Sequence, residues 1–265
     1  MGLVKKEHEI LRMKRAGQVV GDVLKAMREM VRPGVTTLDL DTEAERIIRK
    51  AGGVPAFKGY RVPGIPSPFP GTLCVSINEE IVHGIPKRER VVQEGDIVSI
   101  DVGVELEGYY GDAACTYGTG EISPLRRKLL RVTLDSLHAA LSVAREGKTL
   151  GDIGHAVETA VLSENFGLVR TYAGHGIGKK LHEFPQVPNY GKPRTGVTLK
   201  SGMTIAIEPM VMTGDEEVLA KGDQWTVVTA DGSDAAHFEH TVLICEEGVE
   251  VLTPWEEWKP SLVVS

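Results

Sequence analysis

Gly95-Asp-Ile-Val-Ser-Ile-Asp101 and Gly202-Met-Thr-Ile-Ala-Ile-Glu208 are two versions of one phrase, 107 residues apart. Each runs from a glycine through an apolar stretch and ends on a carboxylate. A second repeat lies upstream. Gly34-Val-Thr36 with Asp39-Leu40 returns as Gly147-Lys-Thr149 with Asp152-Ile153, at an offset of 113. Around these anchors the order helix, helix, strands occurs twice. From Lys6 to Val31, apolar residues recur at spacings of three and four (Met13, Ala16, Val20, Val23, Leu24, Met27), which predicts an amphipathic helix stopped by Pro33-Gly34. A second helix is expected from about Leu38 to Lys50, capped by Thr36 or Thr37, with Gly52-Gly53 beyond it. Further helices read over Pro124–Arg145 and Leu150–Asn165. Strand-like runs lie at Leu73–Ile77, Ile97–Val104, Tyr109–Tyr117, Leu168–Tyr172, Met203–Ile207, Trp225–Thr229 and Phe238–Leu243. The slip between the two offsets falls where the first half carries an extra Pro- and Gly-rich loop, Arg61–Gly71. The expectation is a single α+β unit over residues 1–265, internally duplicated, with halves at about 6–120 and 121–252.

Composition narrows the classes. The chain has 265 residues, 42% hydrophobic and 25% charged, ordinary for a globular protein with a sizeable core. Thirty Lys+Arg against 37 Asp+Glu leave a net charge of −7, which argues against direct nucleic-acid recognition through a basic face. No apolar run approaches the roughly 20 residues of a membrane span. No apolar h-region follows the N-terminus, so no signal peptide is read. Cys74, Cys115 and Cys245 are odd in number and scattered, which predicts a reducing, cytoplasmic setting and no disulfide framework.

The carboxylates carry the chemistry. Asp101 and Asp112 flank a tight turn near Leu106-Glu107-Gly108. A two-residue loop centred between 106 and 107 sets them directly opposite on one face, and a bulge at Gly108 shifts the pairing by one. Two like charges so placed repel unless something positive sits between them. Ser99 and Gly103 are small and are expected to leave room on that face. His175 and His182 stand in a Gly-rich segment after a predicted strand, and His83 leaves a strand into a Gly-Pro turn. Glu208 and Glu239 sit in apolar surroundings, where a buried carboxylate needs a partner or a cation. The set Asp101, Asp112, His175, Glu208 and Glu239 suits two divalent ions with bridging carboxylates. Oxygen donors with one imidazole point to Mn, Fe(II), Co or Zn, not a thiolate zinc site.

These strings together resemble type I methionine aminopeptidases: Ser76-Ile-Asn-Glu-Glu-Ile-Val-His83-Gly-Ile-Pro, Gly95 to Gly103, Gly111-Asp112-Ala-Ala, Gly174-His175-Gly-Ile-Gly with His182-Glu, Met203 to Met210, and Phe238-Glu239-His-Thr. The resemblance runs from the first helix to about Leu252. It implies the pita-bread fold, two pseudo-symmetric α/β halves with curved antiparallel sheets around a dinuclear metal site. It also implies roles. Asp101 and Asp112 resemble the paired aspartate ligands, His175 and Glu208 ligands of the tighter-bound ion, and Glu239 a second bridge. His83 and His182 match substrate-contacting histidines, and Tyr60, Cys74, Leu181 and Trp225, with Phe57 and Phe69, fall near positions that line a methionine pocket.

The implied reaction is hydrolysis of the first peptide bond of Met-initiated polypeptides, with Glu208 moving the proton and a small second residue preferred. The alternative within the fold is a proline-specific aminopeptidase or prolidase. A monomer is expected. There are departures from the family pattern. Val62–Ser67 looks inserted beside the pocket, Leu181 replaces an aromatic, and His237 stands where glutamine is common. Asp215-Glu-Glu217 is acidic where some relatives are basic and dock on the ribosome, so a ribosome contact is left open.

Overall fold

The computed structural model describes residues 3–255. Its first half runs α1 (Glu7–Met30), α2 (Thr37–Lys50), β1 (Val54–Pro55), β2 (Leu73–Ile77), β3 (Glu80–Val82), β4 (Ile97–Leu106) and β5 (Tyr109–Gly118). The second half runs α3 (Pro124–Val143), α4 (Leu150–Leu162), β6 (Gly167–Leu168), β7 (Gly174–Gly176), β8 (Glu183–Val187), β9 (Thr204–Ile207) and β10 (Met210–Met212). It continues through β11 (Val218–Ala220), β12 (Val227–Thr229), β13 (Ala235–His237), β14 (His240–Ile244) and β15 (Val249–Val251). All strand pairings are antiparallel. Two sheets dominate: β1-β4-β2 with β5 on β4, and β15-β14-β9-β7-β8. Among the described residues no helix is long and apolar enough to cross a membrane.

The repeated sequence phrases do the same work in each half. Thr36 and Thr149 are the N-caps of α2 and α4. Each accepts from the backbone N–H three residues on, and the Asp at that position accepts from the cap N–H in return. Gly34 and Gly147 precede them with φ of 91° and 81°, a region that favours glycine. Their amides donate to Val92 and Leu199, which lie just ahead of Gly95 and Gly202. The cap phrase is thus tied to the strand phrase in both halves, and Asp101 and Glu208 end in matching places.

Helix α1 crosses β5 where Gly17 meets Gly111; a Cβ on Gly111 would come within 2.9 Å of the Gly17 nitrogen. That close approach seats α1 on the β4–β5 hairpin, and its apolar stripe Met13, Ala16, Val20, Val23, Leu24 and Met27 is buried. The main core spans both halves, from Val20 through Ile100 to Ile205 and Val242. A smaller cluster gathers Phe57, Phe69, Cys74, Leu181 and Trp225 around Met13 and Ile177.

The structure corrects several readings. The hairpin turn is Glu107-Gly108, with φ of 53° and 80°, so both central residues take the left-handed conformation of a type I′ turn. Leu106 therefore pairs with Tyr109, Gly103 faces Asp112 and Asp101 faces Ala114. Asp101 and Asp112 are diagonal neighbours, not opposite ones. Moving the pairing by two residues preserves the face, so both still point the same way. The space beside Gly103 is filled by the Phe57 ring, 2.7 Å from where a Cβ would stand, and Ser99 Oγ is bonded to Thr116 Oγ1 at 2.8 Å. The run expected as Leu168–Tyr172 forms a strand only at Gly167–Leu168, while His175 lies in a strand, β7. Glu208 sits past the end of β9, where Pro209 has no N–H to continue a ladder. Glu239 occupies the link between β13 and β14.

Candidate functional site

Strand β5 and the segment 237–241 are pinned together at alternate residues. Thr241 Oγ1 donates to the Asp112 carbonyl (2.8 Å) and accepts from the Asp112 amide (3.1 Å). The Glu239 amide donates to the Ala114 carbonyl (2.9 Å), and Thr116 Oγ1 both accepts from the His237 amide and donates to its carbonyl. Because the bonds alternate, Asp112 and Glu239 come from different halves to one point. Trp255 reinforces this by stacking on His240 and donating from Nε1 to the Glu239 carbonyl. The Glu208 carbonyl accepts from Asn189 Nδ2 (2.9 Å), which holds the turn after β9.

Donor atoms of Asp112, His175 and Glu239 all lie within 4.8 Å of one another, and all three residues are buried. His175 Nε2 is 3.8 Å from Asp112 Oδ2 and 3.8 Å from Glu208 Oε1. His237 Nε2 is 3.8 Å from the other Glu208 oxygen, Oε2. Asp101 Oδ1, Asp112 Oδ1, Glu239 Oε1 and His237 Nε2 are buried without a hydrogen-bond partner. Orphaned buried oxygens cost free energy that a cation would recover. The donor set thus fits hard or borderline divalent ions.

Burial and like charge agree with that reading. Burial, then the Asp112 and Glu208 charges, holds Asp101 well above the carboxylate range. Burial pushes Asp112 up to about 7. Glu208 and Glu239 are raised by burial and by the neighbouring Asp112 charge. Burial lowers His175 to about 4, which leaves a neutral imidazole with Nδ1 against the Gly176 carbonyl (2.9 Å) and Nε2 free to ligate. The Cys74 thiol is raised, first by burial and then by Asp101, so it stays protonated and is no thiolate ligand.

These shifts give a pH prediction. A carboxyl whose pKa is raised on folding binds its proton more tightly in the folded state. Its stabilisation is complete below the unfolded value and is lost as pH rises through the folded one. For Asp112 that window runs from near 4 to about 7. In chelator, the Tm of the metal-free protein should fall as pH rises from about 5 to about 8, and excess Mn²⁺ should reverse the fall. A flat Tm across that range would mean the carboxylates do not confront one another.

A cavity of about 470 Å³ opens onto this cluster. Part of its wall is acidic: Asp101, Asp112, Glu208 and Glu239. Another part is apolar: Phe57, Tyr60, Phe69, Cys74, Leu181 and Trp225. Every site residue singled out in the sequence lines it, His83 and His182 included. Phe69 meets Trp225 edge-on, with centroids 5.3 Å apart. Trp225 Nε1 donates to the Ser67 carbonyl (3.1 Å), so the inserted Val62–Ser67 loop is fastened to the pocket wall, and Val62 lines the cavity. His83 lines the cavity with φ of 59°, a non-glycine residue in a strained conformation of the kind that clusters at functional sites. His182 packs edge-on to His175, and its Nδ1 is 2.6 Å from Tyr60 Oη. Met210, which closes the Met203–Met210 string, lines the cavity too, as do Tyr172, Ala173 and Gln186, which no pattern in the sequence marks.

The model of metallopeptidase family M24 matches residues 11–246. The chain belongs to metallopeptidase family M24. Methionine aminopeptidase 1 of Bacillus subtilis is 48% identical over 253 residues, 96% of this chain and 99% of that one. A methionine aminopeptidase of Clostridium acetobutylicum is 49% identical over 253 residues, with the same coverage. Among solved structures, the methionine aminopeptidase of Thermotoga maritima superposes with a TM-score of 0.91 at 49% identity, covering 96% of this chain and 99% of that chain. An X-Pro aminopeptidase of the same organism gives a TM-score of 0.73 at 22% identity and covers 62% of that longer chain, a likeness of fold alone. The M24 fold is the pita-bread fold, and the two halves described above are its two leaves. Membership of this metallopeptidase family implies divalent metal use.

Proposed function

We propose that this M24 chain is a methionyl aminopeptidase that removes the N-terminal methionine of polypeptides with a small second residue. One observation carries the reading: the candidate metal cluster and an apolar pocket share one cavity. Two divalent ions (Mn, Fe(II), Co or Zn) held by Asp101, Asp112, His175, Glu208 and Glu239 would supply Lewis acidity and acidify a nucleophilic water.

The chain's own residues do the rest. An unbranched, polarisable methionine side chain suits the irregular wall of Phe57, Tyr60, Phe69, Cys74, Leu181 and Trp225. Glu208, which lines the cavity beside His175 and His237, accepts the proton of the attacking water and returns it to the leaving amine. The Tyr60 hydroxyl, a stronger acid than a neutral imidazole N–H, donates to His182 Nδ1. That leaves the His182 proton on Nε2, as a donor for the scissile carbonyl oxygen. His83, kept neutral by burial with a pKa of about 4, bonds the scissile amide. The sequence and structural relatives at 48–49% identity are named methionine aminopeptidases, whereas the proline-specific relative shares only the fold. The acidic loop is partly engaged within the chain, Glu216 pairing with Arg170 at 2.8 Å.

The test is a panel Met-X-Met-Ser with X from Gly to Trp, run beside Gly-Pro peptides. His83, His182 and the carboxylates crowd the scissile bond, so turnover should fall steeply from Gly and Ala to Trp. At the first position, leucine should be discriminated from methionine by only about 10–200-fold, the limit of an apolar pocket. Equal rates for Met-Gly and Met-Trp, or faster cleavage of X-Pro, would overturn the assignment.

A further inference from the structure

A second, larger cavity of about 750 Å³ adjoins the first. The two share Tyr172, Ala173 and Gln186 in their walls, so they form one continuous depression. Tyr172 and Trp225 both meet the His83 ring, with centroids 5.7 and 6.4 Å from it, so His83 stands between the shared wall and the apolar pocket. If methionine fills that pocket and its peptide bond lies at His83 and His182, the rest of the polypeptide leaves past Tyr172 and Gln186. It then enters the second cavity.

That cavity is built to hold a chain. One wall is β8, the edge strand of the sheet β15-β14-β9-β7-β8. Phe184 and Gln186 alternate along β8, so they share its exposed face, and Phe184 is 67% exposed. The other wall carries Tyr190, 37% exposed and stacked under the Arg170 guanidinium at 4.8 Å. Arg170 is itself bound to Glu158 and Glu216, so the groove presents two aromatic faces rather than a free charge. An exposed phenylalanine that lines a groove continuous with a catalytic cleft marks a binding surface.

We infer that this groove is a second substrate-binding surface, taking apolar side chains of the polypeptide from about the third residue onward. The inference rests on the aminopeptidase reading and adds to it a preference for chains that carry apolar residues past the third position.

Two measurements test it. The first compares kcat/KM for Met-Gly-Ser, Met-Gly-Ser-Gly-Gly-Ser and Met-Gly-Ser-Leu-Phe-Ser. The apolar hexapeptide should gain roughly tenfold over the other two, the worth of about one buried apolar side chain. Phe184→Ser and Tyr190→Ser should each remove most of that gain and leave Met-Gly-Ser turnover unchanged. The second places a photo-crosslinking benzoylphenylalanine at position five of the hexapeptide and maps the adduct by mass spectrometry; adducts on 184–190 are expected. Turnover with no gain for the apolar hexapeptide, a gain that survives both variants, or adducts elsewhere overturns the groove and leaves the aminopeptidase standing. Adducts on 184–190 with no turnover would keep the groove and sink the reaction assignment.

Discussion

Asp112→Asn is expected to lose at least one bound divalent ion and nearly all turnover. The substitution keeps the shape and removes the charge. Asp112 is the carboxylate around which the cluster closes: its donor atom lies within 4.8 Å of those of His175 and Glu239. The backbone there cannot give way, because Thr241 Oγ1 holds both the Asp112 amide and its carbonyl. An amide oxygen binds a divalent ion far less well than a carboxylate that also offsets its charge. Metal-derived transition-state stabilisation is several kcal/mol. At about 1.4 kcal/mol per factor of ten, the rate should fall by about 10³ or more. The metal-free variant should nonetheless fold at least as well as the parent at pH 8, since one of four crowded charges is gone. Metal analysis by mass spectrometry after dialysis, together with Tm in chelator, reads both effects. Full stoichiometry with full activity would remove Asp112 from the proposed ligand set.

Much of this was legible in the sequence because the decisive signals are local. Gly34 with Thr36 and Asp39, and Gly147 with Thr149 and Asp152, form helix caps from residues three apart. The helices they start appear within a few residues of where apolar spacing places them. The carboxylates announced themselves by sitting in or beside apolar strands. What failed was register and extent. The turn at Glu107-Gly108 lies one residue beyond the expected centre, because a glutamate with positive φ is not a signal that composition gives. Glu239 falls inside the strand expected over Phe238–Leu243, yet it sits at a break, where its amide bonds Ala114 across the halves. Tyr172 and Gln186 were not legible at all. They enter the site because β7 and β8 fold beside β9, a contact set by tertiary packing. His237 departs from the family pattern in the sequence, but nothing there shows that its Nε2 faces the second oxygen of Glu208.

His182→Ala separates a donor from a ligand. His182 is not in the cluster of orphaned donors; its Nδ1 is occupied by Tyr60 Oη at 2.6 Å, and its ring rests edge-on against His175. Removing it should leave the metal content intact, because Asp112, His175 and Glu239 are positioned by β5, β7 and the link before β14. The KM for methionyl peptides should change little, since the apolar pocket wall keeps its aromatic members. The rate should fall by about 10²–10³, the cost of one donor aimed at a developing oxyanion. Tyr60→Phe gives a graded check. It keeps the ring in the pocket wall but frees the imidazole to place its proton on either nitrogen. An intermediate loss in kcat of about tenfold is expected, the worth of about 1.4 kcal/mol. Loss of both ions in His182→Ala would make His182 a ligand. An unchanged kcat in both variants would assign the oxyanion contact to another group, His83 among the imidazoles that line the cavity.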